Sequence, residues 1–88
     1  MQKLKPGDKL KIIKDDIEYE FEVAEEGGYT VSVPELPGCL SEGGTFEEAW
    51  DMIQDAMEGW LLVAAKHGDP IPSQFIGLVG EENQNSNG

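Results

Sequence analysis

Residues 17–23 read IEYEFEV, and no other stretch restricts the fold as much. Ile17, Tyr19, Phe21 and Val23 alternate with Glu18, Glu20 and Glu22, so an extended backbone puts four apolar side chains on one face and three carboxylates on the other. A helix would scatter both sets around its circumference. The segment is therefore a strand whose apolar face needs a cover and whose acidic face meets water. Tyr29, Val31 and Val33 alternate with Thr30 and Ser32 in the same way, and Glu25-Glu26-Gly27-Gly28 supplies glycines for the reversal between the two runs. Together they make an antiparallel hairpin.

The cover follows at Thr45. Thr45 with Glu48 three residues later has the form of a capping box, and Glu47 and Glu48 suit the positive end of a helix dipole. Phe46, Ala49, Trp50, Ile53, Ala56, Met57, Trp60, Leu61 and Ala64 then recur at helical spacing. Lys66 and His67 suit the negative end, Gly68 is placed to be the C′ residue, and Pro70 forbids continuation. The spacing predicts a helix over 46–67, with Tyr29, Trp50 and Trp60 in the core. Its second half is apolar nearly all round, because Leu62, Val63 and Ala65 join the main stripe. Trp60, Leu62 and Val63 are accordingly either the candidate interface of a homo-oligomer, a dimer or tetramer, or a patch covered by the C-terminal tail.

Between hairpin and helix lies VPELPGCLSEGGT, stiffer than a simple connection requires. Pro34 ends the second strand, Pro37-Gly38 is a strong turn dipeptide, and Leu36, Cys39 and Leu40 are apolar enough to enter the core. Cys39-Leu40-Ser41-Glu42 has the length of a third strand, and Gly43-Gly44 delivers the chain to the cap. Residues 1–16 form a basic lead-in with a Pro6-Gly7-Asp8 turn and a short strand candidate at 10–13. At the other end, 73–80 has room for a short strand, and 81–88 (EENQNSNG) has no apolar residue and reads as a disordered tail. The expected class is α+β: a small antiparallel three-stranded sheet, open to extension by an N-terminal or C-terminal strand, with one long helix packed on it.

Charge narrows the partners. The 88 residues carry 18 acids against six lysines and no arginine, for a net charge of −12. Five lysines precede residue 15, so residues 15–88 hold 17 acids and Lys66 alone. Such a surface repels phosphates and attracts a basic protein. Direct nucleic-acid binding by this chain is not expected. No run has the length of a membrane span, no secretion signal is visible, and the single cysteine suits a reducing cytoplasm.

Residues 28–72 also carry a family pattern. Gly28-Tyr29, an alternating strand, Pro34-x-Leu36-Pro37-Gly38-Cys39, a short strand, Gly43-x-Thr45, Glu47-Glu48-Ala49 opening a long helix, and Gly68-x-Pro70-x-Pro72 resemble the N-terminal domain of HicB-type antitoxins. The resemblance covers about residues 19–72 and places a HicB-like domain at 17–72. It implies a truncated ribonuclease-H-like fold and, as partner, a small basic endoribonuclease toxin of the HicA type that the chain binds and neutralises. Many members of the family carry a C-terminal DNA-binding domain. Only 16 residues follow Pro72 here and none is basic, so operator binding by this chain is not expected.

Two surfaces are candidate partner contacts: the row Glu18, Glu20, Glu22, and the stiff connector with Glu35, Leu36 and Pro37. The glutamate row does not read as a two-metal nuclease site. Alternate residues on one strand stand about 6.5–7 Å apart in a line, whereas two-metal chemistry needs acids converging from several elements. Cys39 has only His67 as a prospective base, and nothing in the sequence brings the two together. The Gly-Gly pairs at 27–28 and 43–44 lack the lysine of a phosphate loop. Neither catalytic residue, metal nor cofactor is expected. Besides toxin neutraliser, the alternative is an orphan HicB-like oligomeric binding module with no cognate toxin or DNA-binding role.

Overall fold

The computed structural model of the chain describes residues 4–77. Four strands, β1 (Lys9–Lys14), β2 (Ile17–Val23), β3 (Tyr29–Ser32) and β4 (Leu40–Gly43), precede one long helix, α1 (Phe46–His67). The sheet is an antiparallel meander in the order β1-β2-β3-β4. The expected three strands are all present, and the lead-in supplies the fourth. Asp15 and Asp16, both at positive φ (55° and 66°), form the two-residue turn between β1 and β2, a geometry matched to the twist of a hairpin.

The alternation along β2 and β3 works as anticipated. Ile17, Tyr19, Phe21, Val31 and Val33 are buried under α1 with Ala49, Ile53, Met57 and Leu61. Aromatic rings fill the space between β2 and the first turns of the helix: Phe21 stacks on Phe46 at 4.5 Å and Tyr19 tilts against Trp50 at 4.6 Å. The Tyr19 hydroxyl, inside this layer, reaches the Met57 sulfur at 3.9 Å.

Helix boundaries follow the caps. Thr45 Oγ1 accepts from the Glu48 backbone N–H at 3.0 Å, while Glu48 Oε1 accepts from the Gly44 N–H at 2.7 Å, one residue further out than in the standard capping box. At the far end Gly68 sits at φ +74°, and its N–H and that of Asp69 close on the carbonyls of Ala65 and Ala64.

Helix and sheet approach most closely at β4, and small residues permit it. A Cβ built on Gly43 would fall against the Ala49 backbone nitrogen and 2.8 Å from the Ala49 Cα. Just before β3, a Cβ at Gly28 would meet the Gly43 carbonyl oxygen at 2.6 Å. Both are motif glycines, and both are required by backbone contacts rather than by turn geometry alone.

Two expectations fail. Leu40 does not enter the core: it pairs with Ser32, whose side chain points away from the helix, and is left 66% exposed. Nor do residues 73–77 form a strand. They make a single helical turn in which Phe75 is completely buried and its N–H donates to the Pro72 carbonyl at 3.0 Å. Pro70 and Pro72 redirect the chain before this turn, bringing Phe75 back onto the core. Residues 78–80 of that run and the expected tail at 81–88 lie outside the described residues.

Candidate partner-binding surfaces

The outer sheet face is built by the alternating residues that the core does not use. Glu18, Glu20 and Glu22 of β2 stand in a row there, and register sets β1 beside them: Lys9 pairs with Glu22, Lys11 with Glu20 and Ile13 with Glu18. The Lys11 ammonium lies 3.5 Å from Glu18 Oε2. The lysine-rich lead-in, which had no assigned role in the sequence, is thus the electrostatic counterpart of the glutamate row. Both side chains of that ion pair are well exposed, so it adds little to stability. Its effect is on the field, because the face is no longer uniformly acidic.

The 34–39 connector closes on itself. The Leu36 N–H donates to the Val33 carbonyl at 2.9 Å, the Cys39 N–H to the Leu36 carbonyl at 2.9 Å, and the Val33 N–H to the Cys39 carbonyl at 3.0 Å. Gly38 at φ +83° makes the second turn type II, with Pro37 at its first central position. This answers why the connector is long and stiff: it is a tied loop. Leu36 is 1% exposed, so its side chain is part of the core and not of a contact surface. Glu35 accepts a hydrogen bond from the Gln74 side chain, which ties the loop to the C-terminal turn. Pro37 is exposed, and its carbonyl accepts from the Trp60 indole N–H at 2.9 Å. Cys39 is buried, which pushes its thiol above the ordinary range and makes it a poor nucleophile.

The three candidate interface residues of α1 do not share one patch. Trp60 is partly buried and its polar atom is committed to Pro37. Val63 is 53% exposed and lines an open groove of about 460 Å³ beside β4, with Gly38, Leu40, Ala56, Gly59 and Trp60. Leu62 is also exposed but stands about 100° further round the helix, toward solvent. Sequence reasoning missed this groove. It lies between Ala56, Gly59 and Val63 of the helix and the chain entering β4 at residues 38–40, and only tertiary packing brings them together. The off-stripe position of Val63 was the one available signal.

Among the described residues, no three His, Cys, Asp or Glu side chains are grouped to hold a metal ion, and no helix is long and apolar enough to cross a membrane. The arrangement offers surfaces for association.

Antitoxin HicB 1 of Photorhabdus laumondii is 53% identical over 62 residues, which is 70% of this chain but 39% of that protein. A UPF0150 protein of Thermoplasma acidophilum is 42% identical over 48 residues, covering 54% of this chain and 70% of its own length. Another from Synechocystis is 38% identical over 48 residues, 66% of its length. No solved structure matches the chain. The family model described as HicB_like antitoxin of bacterial toxin-antitoxin system matches residues 17–86, and by that extent the chain belongs to this antitoxin family.

Proposed function

We propose that this chain is the antitoxin of a HicA/HicB-type pair, and that it binds and neutralises a small basic endoribonuclease in the cytoplasm without catalysing a reaction itself. The observation that carries the reading is membership of the antitoxin family over residues 17–86, joined to a net charge of −12 with no arginine. A toxin that grips RNA needs a cationic surface, and an acidic chain meets such a surface with opposite charge. Two contributions are separable. Unpaired surface acids set the rate of encounter, and a shaped apolar contact sets the lifetime of the complex.

The direct test is inhibition. A purified HicA-type ribonuclease from the same genome is assayed on RNA with increasing amounts of this chain. Cleavage should fall to background near equimolar antitoxin, and the two proteins should co-elute at low salt. Full cleavage in the presence of excess chain contradicts the reading.

A further inference from the structure

One side of the molecule carries acids that its own lysines do not match. Where α1 passes over β4, the groove floor of Ala56, Gly59 and Val63 lies beside a sheet edge, since β4 has a strand neighbour on one side only. Met52, one helical turn before Ala56 and 49% exposed, extends the apolar flank. Val63 is more than half exposed, so this floor is open to solvent.

Gly59 adds to the case. A glycine inside a helix costs about 1 kcal/mol relative to alanine. A Cβ built at Gly59 would meet nothing within 4 Å, so no packing within the chain calls for its absence. What the glycine does provide is a flat stretch of helix that another molecule can approach closely.

Charge decides the occupant. Asp69 lines the groove and Asp55 stands one turn before Gly59. Neither has a cationic partner among the described residues. Lys66, the only lysine of α1, is confined to its last turn. A second copy would bring another net −12 and the same acids to face their own images. A basic protein brings the complementary sign.

We propose that the groove between the β4 edge and the Met52–Val63 flank of α1 is the seat of the basic ribonuclease, which inserts an apolar side chain flanked by lysine or arginine. This rests on the antitoxin reading above, and it places the toxin away from the glutamate row of the outer sheet face.

The test compares four full-length proteins: wild type, Val63→Lys, Met52→Lys, and the triple variant Glu18→Gln, Glu20→Gln, Glu22→Gln. Each is titrated with the same HicA-type ribonuclease and weighed alone by light scattering. Both lysine substitutions replace exposed side chains, so circular dichroism and melting temperature should match wild type. Each should weaken binding about 30-fold or more, as loss of a central apolar anchor does, mainly through faster dissociation. The triple variant should change affinity less than about 3-fold, as rim charges do. Failure of the wild type to bind overturns the antitoxin reading itself. Normal binding by both lysine variants overturns only the seat, and loss of binding in the triple variant alone moves it to the outer sheet face. A wild-type dimer that Val63→Lys converts to a monomer with toxin affinity intact gives the groove to a second copy and overturns the proposal as well.

Discussion

On the outer face of the sheet, Glu20 and Glu22 of β2 each have a lysine of β1 in register, and Glu18 is within 3.5 Å of Lys11. On the flank of α1 beside β4, Asp55 and Asp69 have no such neighbour among the described residues. Both regions are acidic in sequence, and the first is the more densely so. What separates them is register: antiparallel pairing sets the basic lead-in against the glutamate row, whereas α1 and β4 have no basic strand beside them. Segment charge counted along a chain is therefore a poor guide to the field a partner meets. The regions differ in relief as well. One is a pleated surface of mostly polar side chains with Ile13 and Leu40 exposed among them, and the other pairs an apolar groove with a free strand edge.

The contrast can be broken most severely at Gly43. A methyl group there meets the backbone of Ala49 and Glu48, which cannot swing aside as a side chain can. Gly43→Ala should destabilise by about 2–3 kcal/mol, the cost of overpacking against rigid atoms. For a domain of this size that lowers the melting temperature by roughly 10 °C or more. A variant that melts with wild type would show that α1 does not lie so close to β4, and the groove would lose its geometry.

Trp60→Phe probes the groove wall. It keeps most of the apolar ring but removes the indole N–H that donates to the Pro37 carbonyl. Thermal or urea unfolding should register a loss of about 1 kcal/mol, typical of one hydrogen bond. No change would mean that the connector is held by its own turns alone.

Gly59→Ala should act in the opposite direction on the fold. With open space around the new methyl group, the helix should gain about 0.5–1 kcal/mol, read as a higher melting temperature. If the groove is occupied closely, the more stable variant should bind the toxin less well. A gain in stability with undiminished binding would leave this glycine without a role at the contact.

The smallest effect on stability belongs to the outer face. Replacing Lys9 and Lys11 by glutamine should change stability by less than about 0.5 kcal/mol, because exposed pairs are worth little. It should steepen the salt dependence of association with a basic protein, since the glutamates would then act unopposed. An unchanged salt slope would show that the lysines never moderated that face.

Much of this fold was legible because it is local. Alternation at 17–23 and 29–33, the Thr45–Glu48 cap and the Gly68 stop depend on residues within a few positions of each other, and each appears as read. The errors are where distant pairing decides. Asp15-Asp16 lacks the glycine that usually marks a tight hairpin, so its pair of positive-φ residues gave no signal, and neither did the matching of β1 lysines to β2 glutamates. Leu40 looks like a core residue until register sets it opposite Ser32. Phe75 lies in a short apolar run whose periodicity cannot distinguish strand from helix, and two prolines then fold it back. At the site, Leu62 and Val63 are adjacent in sequence but about 100° apart on the helix, so only one of them reaches the groove.

The central claim is that the acids beside the groove, and not the glutamate row, steer the toxin. The most direct measurement is the association rate with the HicA-type ribonuclease across a salt series, for two variants that remove equal charge. One carries Asp55→Asn and Asp69→Asn; the other carries Glu20→Gln and Glu22→Gln. The account predicts that the first slows association about 10-fold at low salt and flattens its salt dependence, while the second stays within about 3-fold of wild type. The reverse ranking, with the glutamate-row variant slow and the groove variant near wild type, would contradict it.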